Sequence, residues 1–197
     1  MRLRPSGRSG LLVSSLDSFE SYQLGEAWTF EHQALVRARA VAGDARLARR
    51  FEEIRDRVLR LERDRQKLLD DIVSMRKRIS DEKRSEPTDL KVGLGGMVDI
   101  EFMVQYIVLA WASRFPSLVH YSDNVRILEA AASEGLISLE DALTLHDAYL
   151  ALRTEHHRQL VAGDSSTEDV ELARRQHEVR EIWQRTMTAR TDDDLES

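Results

Sequence analysis

The sequence has no cysteine among its 197 residues, and this absence excludes several kinds of site at once. Disulfides, thiolate nucleophiles and cysteine-ligated zinc all need a residue type that the chain lacks. The absence fits a reducing compartment, and we expect a cytoplasmic protein. No signal peptide is visible, because Arg2 and Arg4 are followed by Pro5, Ser6 and Gly7 rather than by an apolar run.

Prolines, long apolar runs and excess basic charge are also scarce. The three prolines are Pro5, Pro87 and Pro116, so long uninterrupted helices are permitted. The net charge of −6 argues against general nucleic-acid binding. The most apolar segment, residues 97–112, contains two carboxylates and is too short to be a good membrane span. The sequence also has no HExxH, CxxC, GxSxG or complete Walker motif, so no short motif names a reaction.

A glycine loop at residues 91–96 leads directly into this apolar segment, whose only polar side chains are Asp99, Glu101 and Gln105. A helix that is apolar on nearly every side belongs at the centre of a core, so we expect the central helix of a bundle. At about 100° per residue, Glu101 and Gln105 share one face, whereas Asp99 lies roughly 200° from Glu101. One metal ion held by both carboxylates therefore requires Asp99 to lie in an irregular first turn.

Two interpretations of these acids follow from the spacing. Carboxylates in a first turn complement the positive end of the helix dipole, and glycines suit a tight turn, which is a structural role. A buried Glu101 nevertheless needs a partner, because an unpaired charge among apolar side chains is costly, and this is the argument for a site. His32 has no partner at ligand spacing, so we expect it to be a structural histidine.

Residues 44–84 carry the clearest periodicity of the chain. Steps of four and three connect Leu47, Phe51, Ile54, Val58, Leu61, Arg65, Leu68, Ile72, Met75 and Ile79. This heptad pattern predicts one very long helix, of roughly 50 Å at 1.5 Å per residue. Leu59, Leu69 and Val73 broaden the stripe and favour packing within a bundle. Docking of an acidic partner and an intermolecular coiled coil are the alternatives.

Helix start and stop signals predict shorter helices around these two elements. The expected ranges are 15–24, 26–41, 122–134, 138–162 and 167–189, with Ser15 or Asp17 capping the first and Ser138 beginning the fourth in a capping box. Residues 1–10 are turn-rich and basic, and residues 11–13 resemble a short strand. An isolated strand needs neighbours, so the chain is expected to begin within a sheet. The predicted class is an all-α helical bundle with one very long helix, preceded by this strand.

Five strings of the sequence, taken together, carry a family resemblance. They are residues 2–7 (RLRPSG), 26–39 (EAWTFEHQALVRAR), 95–102 (GGMVDIEF), 122–124 (SDN) and 152–160 (LRTEHHRQL). In this order they resemble the C-terminal half of the bacterial glutamine synthetase adenylyltransferases, and the resemblance covers essentially the whole chain.

The resemblance implies a nucleotidyltransferase domain followed by an all-helical domain. The family transfers AMP from ATP to a tyrosine of glutamine synthetase with Mg²⁺, and a related half removes it; it responds to glutamine and to the PII signal protein. Its metal-binding carboxylates lie on an Asp-x-Asp element and on another Asp just before the RLRP string. This chain starts at Met1, so both are absent from it. The resemblance therefore implies a part of the enzyme that is inactive alone and binds neither Mg²⁺ nor ATP tightly.

The resemblance also implies a domain plan and a set of partners. Residues 1–20 are expected to be the C-terminal remnant of the nucleotidyltransferase sheet, 21–190 the helical domain, and 191–197 a disordered acidic tail. The expected partners are glutamine synthetase, the PII signal protein and the remainder of the adenylyltransferase chain, with no nucleic acid and no membrane. Three roles follow: the helical part of an enzyme, a partner-binding module, or a scaffold built on the long helix.

Within the resemblance, one group of residues is expected to face the catalytic cleft, although no catalytic or metal-binding residue is expected in this chain. The group is Lys91, Gly95, Gly96, Asp99 and Glu101, followed by Arg2 and Arg4 near the nucleotide phosphates.

Overall fold

The computed structural model of the chain describes residues 13–83, 89–162 and 170–187. These residues form α-helices and one 3-10 turn, Pro116–Val119, without any strand among them. The helices are α1 (Leu16–Gly25), α2 (Thr29–Val36), α3 (Ala45–Leu59), α4 (Arg65–Lys83), α5 (Met97–Trp111), α6 (Asn124–Ser133), α7 (Leu139–Ala162) and α8 (Val170–Thr186). The predicted all-α class is confirmed.

Helix α5 lies at the centre of the core, as its apolar composition predicts. It packs against α2, α4, α6, α7 and α8. Ile100, Met103, Val104 and Val108 have no exposed surface at all. A helix surrounded on all sides buries nearly every side chain, so its few polar residues must find partners within the protein.

The prediction of one very long helix over residues 44–84 is wrong. Helix α3 ends at Leu59 and α4 begins at Arg65. The physical cause is Arg63, whose guanidinium donates to the backbone carbonyls of Val58 (2.7 Å) and Leu59 (3.0 Å). These bonds satisfy the last acceptors of α3 and stop the helix there.

The heptad residues on either side of this turn pack inside their own chain. Ile54, Val58 and Ile72 are fully buried in the common core. The pattern therefore reports packing within the bundle, not a seam between molecules. A scaffold role built on one long helix loses its basis with the division of that helix.

Helix α2 is also shorter than the predicted range 26–41. The buried guanidinium of Arg55 accounts for its end, because it donates to the carbonyls of Leu35 (3.1 Å) and Val36 (2.7 Å). The same guanidinium reaches the carbonyls of Val119 (2.7 Å) and Tyr121 (3.1 Å). Burial lowers the pKa of Arg55, and four carbonyls surround its charge.

Two predicted helix starts are confirmed. Ser15 accepts a hydrogen bond from the Ser18 amide (3.1 Å), and Ser138 accepts one from the Asp141 amide (3.0 Å). The Asp141 carboxylate bonds to Arg185 (2.7 Å) on α8 instead of closing a capping box.

Several sequence predictions lie outside the described residues. They include residues 11 and 12 of the predicted strand, the acidic tail 191–197, Arg2 and Arg4. Val13, the remaining strand residue, forms no strand. The division into domains at residues 20 and 190 stays a prediction. No helix of the described part is long and apolar enough to cross a membrane.

Candidate functional site

Residues 89–96 form a compact loop that closes over the N-terminus of α5. The amides of Met97 and Val98 donate to the carbonyls of Leu90 (3.0 Å) and Lys91 (3.0 Å). The first amides of a helix are normally free to bind a side chain, a water or an anion. Here the loop's own backbone uses them, so this helix end is not an open phosphate site.

Asp89 holds the other side of the loop. Its carboxylate accepts from the amides of Lys91 (2.8 Å) and Val92 (2.9 Å), and its carbonyl accepts from the Gly93 amide (2.9 Å). The Gln176 side chain of α8 also donates to the Asp89 carbonyl (3.3 Å). The loop is therefore attached to α8 as well as to α5.

Asp99 forms a buried ion pair with Arg76 of α4. Its second carboxylate oxygen accepts from the Gly95 amide (2.6 Å). Arg76 also donates to the carbonyls of Val92 (3.0 Å) and Gly93 (3.1 Å). The exposed fractions of the two side chains are 7% and 5%, so both charges depend on each other and on the loop. This arrangement is the structural role that the sequence left open for Asp99.

Gly95 and Gly96 give the loop room to pack against backbone. Gly95 has φ = +76°, and a Cβ there would lie 1.9 Å from the Gln176 carbonyl oxygen of α8. A Cβ on Gly96 would lie 2.9 Å from the carbonyl oxygens of Leu90 and Lys91. The space that both glycines leave is thus filled by the chain itself.

Glu101 lies on the opposite side of α5 from this loop contact. It forms an ion pair with Arg37, just after α2, and accepts a hydrogen bond from the Tyr149 hydroxyl of α7 (3.2 Å). One turn further along α5, Gln105 accepts from the Gln33 side chain (2.9 Å). Glu101 and Gln105 therefore share the face towards α2, as their spacing predicts, whereas Asp99 faces α4.

The electrostatics of this second cluster favour a neutral tyrosine and a charged arginine. Burial alone disfavours the charge on Arg37, but Glu101 and Tyr149 outweigh that effect and raise the pKa of Arg37. Burial raises the pKa of the Tyr149 hydroxyl, Glu101 adds to the rise and Arg37 opposes it. Tyr149 is therefore protonated at neutral pH, and its hydroxyl donates a hydrogen bond to the Glu101 carboxylate.

The described residues do not fit a Mg²⁺ site. They contain no group of three or more histidine or acidic side chains placed to hold a metal ion. Both oxygens of Asp99 accept hydrogen bonds, and the charge of Glu101 is balanced by Arg37. Since the two acids also face different helices, one ion cannot contact both.

The structure separates the predicted site residues into exposed and buried members. The side chains of Lys91 and Leu94 point into solvent, whereas Gly95, Gly96 and Asp99 are buried and Glu101 is partly covered. Arg2 and Arg4 lie outside the described residues.

Sequence reasoning missed three residues that hold the predicted site residues in place: Arg37, Arg76 and Tyr149. A weak signal existed for Arg37, because Gln33 and Arg37 repeat the four-residue spacing of Glu101 and Gln105. No local pattern marks Arg76 or Tyr149.

Comparison with known proteins adds the family. Residues 1–54 match the family model described as Glutamate-ammonia ligase adenylyltransferase. Residues 63–195 match the model described as GlnD PII-uridylyltransferase. The first match ends within α3 and the second begins in the turn before α4, so the Arg63 turn lies at the junction of the two.

Relatives among the curated proteins match both ranges at once. The bifunctional glutamine synthetase adenylyltransferase/adenylyl-removing enzyme of Acinetobacter baylyi is 47% identical over 100% of this chain and 22% of its own length. Enzymes of the same name from Thioalkalivibrio sulfidiphilus and Nitrosococcus oceani are 51% and 47% identical over 94% and 92% of the chain. The chain belongs to the glutamine synthetase adenylyltransferase family. Its residues 63–195 belong to the family described as GlnD PII-uridylyltransferase.

As a member of this family, the chain spans about a fifth of the length of the relatives it matches. Several polar residues of the family string at residues 26–39 have structural roles in the fold. Glu31 accepts from the Tyr22 hydroxyl (2.9 Å) and the Trp28 amide (3.0 Å), while Gln33 and Arg37 bond to α5. These side chains join α1 and α2 to the central helix.

Proposed function

We propose that the chain is the helical part of an adenylyltransferase that transfers AMP from ATP to a tyrosine of glutamine synthetase. In this role it completes the catalytic cleft and supports docking of the protein substrate. The observation that carries the proposal is the 47% identity over its full length to the Acinetobacter baylyi enzyme of that name. We propose that ATP and Mg²⁺ bind in the cytoplasm to a longer protein that contains this chain. The metal ligands would lie outside the described residues.

The loop at residues 89–96 supports this role as a rigid element. Its hydrogen bonds to Arg76, Asp99 and Gln176 fix its backbone. We assign Lys91 to contact with the nucleotide or the protein substrate, because its charge is exposed on that fixed backbone. Gly95, Gly96 and Asp99 act by positioning the loop.

Arg2, Arg4 and Glu101 complete the proposal with different roles. The two arginines are assigned to the vicinity of the nucleotide phosphates, which guanidinium groups bind well. Glu101 positions α2 and α7 through Arg37 and Tyr149.

The proposal for Lys91 is tested by Lys91→Ala in a full-length family enzyme carrying this chain. A charge-assisted contact is worth about 1.5–3 kcal/mol, so we expect kcat/KM for AMP transfer to fall about tenfold or more. Lys77→Ala on the exposed face of α4 is the matched control and should transfer AMP normally. A normal rate and a normal ATP affinity for Lys91→Ala would contradict the assignment.

Glu101→Gln in the same enzyme separates positioning from a purely structural role. A slower transfer reaction in a stably folded variant supports the positioning role. A loss of stability with intact kinetics shows that the residue serves the fold alone.

A second candidate function is binding of the PII signal protein by residues 63–195. The match of this range to the family described as GlnD PII-uridylyltransferase favours it. The test is titration of purified PII protein against the chain by interferometry. Saturable binding supports the candidate, and the absence of binding to a folded chain rejects it.

A further inference from the structure

Helix α7 carries an exposed row of largely apolar side chains in addition to its buried face. Its inner face packs into the core through Ala142, Leu145, Ala148, Tyr149 and Leu152, which are all buried. A surface helix normally turns polar side chains to the solvent, with one apolar stripe towards the core. Helix α7 departs from this rule, because it also exposes leucine and valine side chains outside that stripe.

The outer seam of α7 consists of six residues within a stripe about 60° wide on the helix. These residues are Leu139, Leu143, His146, Leu150, His157 and Val161. The exposed fractions of the four apolar members are 68%, 56%, 42% and 90% in chain order. At 1.5 Å per residue the seam extends over roughly 33 Å.

The spacing of the outer seam is the spacing of helix pairing. Successive members lie three, four or seven residues apart, which is the heptad pattern that places side chains against a second helix. Single exposed leucines are ordinary on protein surfaces, but an aligned row is typical of an interaction site. Apart from the exposed Leu47, the apolar heptad residues between 47 and 79 are buried in the chain's own core or packed against it, whereas the apolar members of the outer seam are exposed.

Five of the six members of the outer seam are placed symmetrically about Leu150, and the counterpart of the sixth, His146, is Thr154. Leu139 and Val161 lie eleven residues before and after it, and Leu143 and His157 lie seven residues before and after it. A second α7 running in the opposite direction therefore places Leu139 against Val161 and Leu150 against itself. Such an isologous contact uses the same patch twice.

The charges beside the outer seam favour this antiparallel direction. The first half of α7 contains three acidic residues and no lysine or arginine. The acids are Glu140, Asp141 and Asp147. The second half carries Arg153 and Arg158 with a single acid, Glu155. Antiparallel pairing brings the acidic half of each helix beside the more basic half of the other, and Glu140 beside Arg158 of the second copy.

We propose that the outer seam of α7 pairs antiparallel with the outer seam of a second copy of this chain, about a two-fold axis at Leu150. One helix pair gives a small contact area, and interfaces below about 1,200 Å² are typically weak and transient. The dimer therefore forms in a concentration-dependent way and weakens with salt.

Sedimentation equilibrium of the 197-residue chain over a range of concentrations tests the pairing. The expected result is a reversible monomer–dimer equilibrium. Leu150→Glu places two carboxylates at the two-fold axis and raises the dissociation constant at least about tenfold. Leu47→Glu on α3, with a similarly exposed leucine, leaves the equilibrium unchanged. Circular dichroism confirms folding of each variant, and Leu143→Glu replaces Leu150→Glu if the latter unfolds.

A single introduced cysteine tests the position of the axis, because the chain has no other thiol. A disulfide needs Cβ atoms about 3.5–4.5 Å apart, and only residues at a two-fold axis meet their own copies so closely. Leu150→Cys should form a disulfide dimer readily in a glutathione redox buffer, and Leu47→Cys should not.

Three results would overturn the proposal. The first is a chain that stays monomeric at all concentrations and cross-links no faster through Leu150→Cys than through Leu47→Cys. The second is a dimer that neither Leu150→Glu nor Leu143→Glu weakens. The third is a monomeric chain whose Leu150→Cys thiol is shielded only within a full-length family enzyme, which would assign the seam to another part of that enzyme.

Discussion

Gly95 has no room for a side chain, so a substitution at this position should destabilise the loop. We expect Gly95→Ala to lower the free energy of unfolding by about 2–4 kcal/mol. Overpacking against the Gln176 carbonyl and a left-handed backbone both contribute to the loss. Urea denaturation measures it. Gly25→Ala is the control, because nothing lies within 4 Å of a Cβ there, and equal losses for both variants would contradict the packing argument.

His32 gives the protein a pH-dependent stability. Its Nε2 donates to the Gln23 carbonyl (2.9 Å), and its Nδ1 accepts from Arg63 (3.3 Å), an arrangement that fits the neutral ring. Burial, aided by the charge of Arg63, lowers the pKa of His32 below its ordinary value of 6.5. The unfolded chain therefore binds the proton more readily than the folded one as the pH falls below about 6.5, and stability is lost there.

The variant His32→Gln tests this linkage by urea denaturation at pH 7.5 and pH 5.5. The wild-type histidine contributes a loss of at most about 1.4 kcal/mol one pH unit below its unfolded pKa. We expect the variant to lose less stability than the wild type between these two pH values. An identical loss in both proteins would show that His32 does not titrate on unfolding.

The sequence alone supports part of the candidate site at this scale. Helical periodicity correctly places Glu101 and Gln105 on one face and Asp99 on another. The partners were out of reach, because Arg37 is 64 residues from Glu101 and Arg76 is 23 residues from Asp99. Tertiary packing alone brings such charges together.

The turn between α3 and α4 divides residues 45–83 into two helices instead of one long helix. Besides the carbonyls of α3, the Arg63 guanidinium reaches the carbonyls of Leu61 (2.8 Å) and Leu109 (3.3 Å). Burial lowers the pKa of Arg63 to about 10, so it still carries its charge at neutral pH. One side chain thus joins the end of α3 to α5, near the C-terminal end of the central helix.

Arg63→Met should lower the free energy of unfolding by about 3 kcal/mol, because it leaves buried carbonyls without donors. Arg63→Lys should recover only part of this loss, since an ammonium group lacks the planar fork that reaches several carbonyls. Arg60→Met is the matched control, because Arg60 is exposed and pairs only with Asp56 in the described part of the chain, so its loss should stay within about 0.5 kcal/mol. Equal losses at both arginines, in urea denaturation, would contradict the capping role.

This turn also shows why the sequence predicted too long a helix. The heptad spacing continues in phase through residues 58–68, and neither proline nor glycine interrupts it. Arg65, the polar residue in that seam, lies over the Trp111 ring at 4.2 Å. Arg63 ends the helix by binding its last carbonyls. Nothing in the neighbouring sequence distinguishes it from the other arginines of a charged helix.

At the scale of the whole molecule, the described chain forms one core around α5. The apolar composition of residues 97–112 predicted that this segment forms the centre of the core. The predicted start of α7 at residue 138 lies one residue before its observed start at Leu139. Within the described residues, the exposed outer seam of α7 and the loop at residues 89–96 are the two surfaces to which we assign contacts with other molecules.

Direct binding of purified glutamine synthetase to the 197-residue chain tests whether this helical region supports docking of the protein substrate. Interferometry at low and moderate ionic strength is the measurement. We expect saturable binding that weakens as salt screens the surface charges. No binding at either ionic strength, from a chain shown to be folded by circular dichroism, would contradict it.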